Sequence, residues 1–156
     1  MIARTVHCNG LQKNGPFITF NVSATSPDRV DGELFGYAAG SMPGATNGYI
    51  GLYLAADEGT LFIKDIDRLP SSTQVRLLQT IQDRAVRSVG SASATPANVR
   101  IVASTTRSIE ELVSAGSLRE DLYYRLNVIT MEVPPLRLRT EDIPVLVEHF
   151  VRHHNG

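Results

Sequence analysis

Three short apolar runs, alternating with helical stretches, constrain this chain more than any other feature. Pro16–Val22 (PFITFNV), Thr60–Ile66 (TLFIKDI) and Val99–Thr105 (VRIVAST) are rich in β-branched and aromatic residues and read as buried strands. Asn127–Val133 reads the same way, and Pro134–Pro135 stops it. Helical signals fill the spaces between them. Met1–Cys8 is the tail of a helix ended by Asn9–Gly10, and Ser26–Pro27–Asp28 opens another toward Phe35. Tyr49–Asp57 is a short helix. Val75, Leu78 and Ile81 recur at helical spacing in a longer helix from Leu69 to about Asp83. Ser108 and Glu111 form a capping box for a helix to Ala115, and Leu118–Leu126 is helical. Thr140 caps the last helix, with Glu141 and Asp142 in its first turn, where the dipole favours acids. Val86–Val89 is a short strand, followed by a small-residue loop over Gly90–Ala97. Alternation of this kind predicts an α/β layer built on a largely parallel sheet.

Composition narrows the function. The 156 residues are one domain's worth, with 42% apolar and 20% charged residues, so the chain can bury a core. A net charge of -1 with no basic tail gives no footprint for general nucleic-acid binding. Aromatic residues at 6%, with no tryptophan, are too few for a base-stacking platform. No apolar run approaches the roughly 18–20 residues of a membrane span, and Met1–Gly10 has no signal-peptide core. Cys8 is the one cysteine, which fits a reduced, cytoplasmic setting and no membrane. His149 and His153 have a spacing that can bind metal, but no third ligand has a known place, so no metal site is expected.

The order of several stretches is more specific. These are GELFGY (Gly32–Tyr37), GSMPGA (Gly40–Ala45), EGTLFIKDIDRLP (Glu58–Pro70), VRIVASTTR (Val99–Arg107), LREDLYYRLNV (Leu118–Val128) and PPLRLRTEDIP (Pro134–Pro144). Together they resemble the central AAA+ domain of bacterial sigma-54-dependent transcription activators. The resemblance covers nearly the whole chain. It implies a P-loop NTPase-like three-layer α/β fold with a parallel sheet. It also implies ATP and Mg²⁺ as cofactors, hydrolysis in a ring of subunits, and sigma-54 RNA polymerase as partner.

The resemblance also assigns roles, and the residues present depart from several of them. No G-x-x-x-x-G-K-[ST] occurs in the sequence, so the phosphate cradle is missing. Lys64 takes the place of the acidic residue that holds Mg²⁺, and Asp65 the place of the glutamate that polarises water. At ~4 Å and an effective dielectric of 20, each unit of charge product is worth roughly 4 kcal/mol, so the sign change opposes metal binding. Lys64 reads either as a solvated strand-end lysine or as a substitute phosphate contact. Thr106 stands at the sensor position usually held by Asn, and Asn21 at the position that relays nucleotide state. The loop that touches sigma-54 is altered: Gly40, Gly44 and Ala45 keep its frame, while Ser41, Met42 and Pro43 depart from it. Arg119 and Arg125 match the two arginines given to a neighbouring subunit. The alternative for them is a helix salt bridge to Glu120 or Asp121.

From this the chain is expected to be residues 1–156 of a partial AAA+ domain, lacking the P-loop strand, the C-terminal helical lid and a DNA-binding domain. In the family sheet, of order 5-1-4-3-2, the four strands read here are the second to fifth, so the central place is unfilled. Either the fifth strand shifts onto the fourth, or edges stay open. The chain alone is expected to be inactive as an ATPase. It is then a non-catalytic partner in a homo- or hetero-oligomeric ring, donating Arg119 and Arg125 to an intact subunit, or a non-functional gene fragment.

Overall fold

A computed structural model describes residues 1–41 and 46–154. Its sheet has three parallel strands, β1 (Phe17–Asn21), β2 (Thr60–Lys64) and β5 (Arg100–Ser104), in the order β1-β2-β5. Phe17 pairs with Thr60 and Asn21 with Lys64, and on the other side Thr60 pairs with Arg100 and Lys64 with Ser104. A short hairpin pairs β3 (Ala85–Val86) with β4 (Thr95–Pro96) in antiparallel fashion. Half of the expected Gly90–Ala97 loop is therefore a turn, and its end is strand. The expected strand at Val86–Val89 shortens to β3 plus a single bridge from Val89 to Tyr37.

β2 is apolar almost throughout because both of its faces are covered. Leu61 and Ile63 are fully buried on one face and Thr60 on the other. The helices are α1 (Ile2–Cys8), α2 (Pro27–Phe35), α3 (Gly51–Ala55), α4 (Ser71–Asp83), α5 (Ile109–Ser114), α6 (Glu120–Leu126) and α7 (Asp142–His154). α3 packs on β1 and α6 on β5, while α2 packs on α3 and α4 on α6. α1 is held at the amino end of the sheet, where His7 Nδ1 lies 2.9 Å from Thr60 Oγ1 and Arg4 lies over the Phe17 ring. α2 and α4 are joined by Asp31, which accepts hydrogen bonds from Thr73 (2.5 Å) and Arg76 (3.2 Å). The core runs from Phe20 and Val30 through Leu34, Tyr53, Leu61 and Leu77 to Leu122.

One helix stands as expected but with a buried face its apolar spacing does not show, and one expected strand fails. In α4 the deeply buried positions are Thr73, Gln74, Leu77 and Thr80, and Val75 is exposed. Polar side chains occupy the buried stripe because each has a hydrogen-bond partner, which removes the cost of burial. Asn127–Val133 forms no strand. A strand needs a ladder, and no described strand lies along the outer edge of β5. Its side chains stay in solvent, with Val128 84% and Ile129 81% exposed. The last helix begins at Asp142, and Thr140 reaches it through its carbonyl, which accepts from Ile143 N at 3.1 Å.

Candidate functional site

Parallel strands bring their carboxyl ends to one edge of the sheet, where open α/β folds hold ligands. Here that edge is the register row Asn21, Lys64 and Ser104. β2 and β5 leave it through tight turns. Asp65 follows β2 in the left-handed region (φ 58, ψ 53) and opens a single 3₁₀ turn over Ile66–Arg68. A non-glycine residue in that conformation is strained, and its carboxylate is fixed by Ser23 Oγ, which donates to Asp65 Oδ2 at 2.6 Å. β5 leaves through Thr105, whose Oγ1 accepts from Arg107 N at 3.2 Å, and Thr106 is exposed beyond it.

The structure thus brings Asn21, Lys64 and Asp65 to one edge, with Thr106 just past it. Lys64 is exposed, and Asn21 Oδ1 is enclosed with no hydrogen bond. This set does not fit Mg-ATP. Its central side chain is a cation, and its carboxylate is turned onto Ser23. Among the described residues no three His, Cys, Asp or Glu side chains converge as metal ligands.

The arginines stand elsewhere, on α6. Arg119 is the residue before the helix and Arg125 is in its last turn, about 9 Å further along the axis at 1.5 Å per residue. Leu122 between them is fully buried and anchors the helix. Both arginines are exposed. Arg119 does form the salt bridge named above as the alternative, and it is bidentate: Nε to Asp121 Oδ1 at 3.1 Å and Nη2 to Oδ2 at 2.8 Å. That hydrogen bond is the main cause that lowers the Asp121 pKa and raises that of Arg119. Arg125 has no side-chain partner among the described residues. Asn127 Nδ2 donates to Tyr123 Oη at 2.7 Å and closes the end of the helix.

The polar loop begins from a fixed base. Tyr37 and Tyr49 exchange backbone hydrogen bonds, both at 2.8 Å, and their rings lie 5.6 Å apart. Beneath them Gly36 and Gly51 both have positive φ, and a Cβ on Gly51 would meet Gly36 N at 2.2 Å. Of the expected sigma-54 contact residues, Gly40 and Ser41 continue from this base, with Ser41 Oγ donating to Ala38 O at 2.7 Å. Met42, Pro43, Gly44 and Ala45 lie outside the described residues.

One residue escapes a reading by motif. Gln74 is 2% exposed, and both its amide nitrogen and its amide oxygen are hydrogen-bonded. Nε2 donates to Leu69 O at 2.9 Å and Ser117 O at 2.8 Å, and Oε1 accepts from Arg119 N at 2.9 Å. Its place in the helical stripe with Leu77 was the available signal.

Comparison with known proteins agrees with this architecture. Acetoin dehydrogenase operon transcriptional activator AcoR of Bacillus subtilis is 44% identical over 149 residues, covering 95% of this chain and 25% of AcoR. DNA-binding transcriptional regulator NtrC of Rhizobium meliloti is 42% identical over 152 residues, covering 97% of this chain and 31% of NtrC. The chain thus spans about a quarter to a third of these relatives' length. The crystal structure of NtrX from Brucella abortus superposes with a TM-score of 0.86 at 36% identity, over 97% of this chain and 33% of NtrX. NtrX has also been solved in complex with ADP and with ATP. No described helix is long and apolar enough to cross a membrane. The Sigma-54 interaction domain family matches residues 1–132, and the chain belongs to that family of AAA+ transcription-regulator domains.

Proposed function

We propose that this chain acts as a sigma-54 interaction module that does not hydrolyse ATP by itself and completes the site of a neighbouring subunit through Arg119 and Arg125. The observation that carries this reading is Lys64 at the carboxyl end of β2, between Asn21 and Ser104 in register. A cation there opposes Mg²⁺, and Asp65 is held by Ser23 rather than free to take up the metal. Two features support the other half. Arg119 and Arg125 stay exposed on a well-anchored helix, the placement that a residue serving another subunit requires. The relatives NtrC and AcoR are transcriptional regulators, and NtrX, a protein of the same architecture, binds ATP and ADP. Assembly into a ring and contact with sigma-54 RNA polymerase through the Gly40–Ala45 loop are part of the same proposal. The Tyr37–Tyr49 bridge joins the chain on either side of that loop.

Two measurements test it. Calorimetry with Mg-ATP on the chain alone is expected to show no binding heat, and the chain alone no turnover. Titrating the chain into an intact sigma-54 activator is expected to raise ATP turnover per intact subunit. Measurable Mg-ATP affinity overturns the reading of Lys64. Unchanged turnover overturns the donor role.

A further inference from the structure

We propose that Gln74 is a positioning residue that ties Arg119 to the carboxyl end of β2, so that the edge of the sheet and the arginine behave as one body. This rests on the reading that Arg119 serves a neighbouring subunit. The starting point is a buried amide on α4, in the same buried stripe as Leu77 and facing α6, whose buried residue is Leu122. An apolar residue would fill the same space. What Gln74 adds is direction, because its three hydrogen bonds reach three backbone groups from two separate parts of the chain.

On one side the link runs without slack to Lys64. Arg68 N donates to Asp65 O at 3.0 Å and Leu69 N to Ile66 O at 3.2 Å, so the stretch from Asp65 to Leu69 is a closed turn. Ile66 and Leu69 are both 4% exposed and fix that turn in the core. Leu69 O is then the acceptor for Gln74 Nε2. On the other side, Ser117 N and Leu118 N both donate to Leu112 O, at 2.9 and 3.1 Å, and fasten the approach to α6 onto α5. Gln74 closes the gap by binding Ser117 O and Arg119 N. The guanidinium of Arg119 makes its ion pair with Asp121 and none with α4. Gln74 therefore sets where the arginine starts, and Asp121 sets where its tip rests.

The test uses the full chain and three readouts. Gln74→Leu is expected to speed hydrogen exchange at the Arg119 amide by about tenfold or more while the β2 amides keep their protection. Lys64→Ala is expected to shift the Arg119 amide resonance in the otherwise unaltered chain and not in the Gln74→Leu background. In the mixed assembly with an intact activator, Gln74→Leu is expected to lower stimulated kcat several-fold with KM for ATP unchanged. Gln74→Glu guards against a folding defect. It keeps volume and can accept from Arg119 N, but its carboxylate cannot donate to Leu69 O and Ser117 O, and partial recovery on acidification is expected as the acid regains a donor. Unchanged Arg119 exchange in Gln74→Leu, or a Lys64→Ala shift that survives it, overturns the inference. If Arg119→Ala leaves stimulated turnover unaltered, the proposed function falls instead, and the exchange data still decide the role of Gln74.

Discussion

At the carboxyl edge of the sheet, Lys64 and Thr106 face solvent with no side-chain partner among the described residues, and Asp65 is committed to Ser23. At the start of α6, Arg119 has its backbone held by Gln74 and its guanidinium by Asp121, above the buried Leu122. The two regions need different things. Holding a nucleotide takes side chains that converge on one point, and a single sign change among them defeats the purpose. Presenting a charge to another subunit takes only a rigid platform and an exposed tip. Under the proposed function, the second arrangement tolerates substitutions that the first does not.

The largest effect expected from breaking this comparison is catalytic. In the mixed assembly, Arg119→Ala and Arg125→Ala should each remove most of the stimulation. Arginine fingers supplied by a partner are worth about 10³-fold or more in kcat. Among the described residues Arg125 has no side-chain partner, so its removal should leave the melting temperature of this chain unchanged.

The next effect is on the platform. Leu122→Ala empties a fully buried site beneath both arginines and should cost about 2–5 kcal/mol in urea unfolding. Val128→Ala, only a few residues later, should stay within about 0.5 kcal/mol because Val128 is 84% exposed. Similar costs at the two positions would mean that the segment after α6 is packed in solution.

That contrast also shows how far the sequence could be read. The three strands were legible because a parallel sheet covered on both faces demands continuous apolar runs, as in Thr60–Lys64. Val128–Val133 carries the same propensity, yet a strand is decided by its neighbour, and propensity does not report one. In α4 the spacing of Val75, Leu78 and Ile81 marked the helix, and Leu78 and Ile81 pack against the core, yet Gln74 and Thr73 are inside by virtue of hydrogen bonds that no periodicity encodes. At the site, residue types in order put forward Lys64, Asp65, Asn21 and Arg119, and the first three stand together at one sheet edge. The left-handed turn at Asp65 and its bond to Ser23, 42 positions away in sequence, needed the coordinates.

A smaller effect sharpens the comparison from the other side. Lys64→Asp restores an acidic residue beside Asp65 at the sheet edge. Lys64 is exposed, so water and salt screen the change, and the expected gain in divalent affinity is far smaller than the catalytic loss above. Mn²⁺ should then broaden the resonances of Asn21, Ser23 and Asp65 selectively. Equal broadening in the unaltered chain would show that Lys64 is not what keeps the metal away.

The smallest effect concerns the tip of Arg119. Its bond to Asp121 is exposed, with side-chain exposures of 41% and 46%, so the contribution to stability is slight. Its pH dependence has a definite sign. Asp121 titrates below its ordinary value because Arg119 hydrogen-bonds the ionised form. The stabilisation is therefore present above the ordinary aspartate value of about 3.9 and is lost as the pH falls through the lower folded value. An NMR titration of the Asp121 carboxyl should show its midpoint rising in Arg119→Ala. In Asp121→Asn the guanidinium loses its internal partner while its backbone stays on Gln74. Stimulated turnover should then rise modestly, and more at low salt, where an unpaired arginine is least screened. A fall instead would mean that Asp121 aims the arginine at its neighbour and does not merely hold it back.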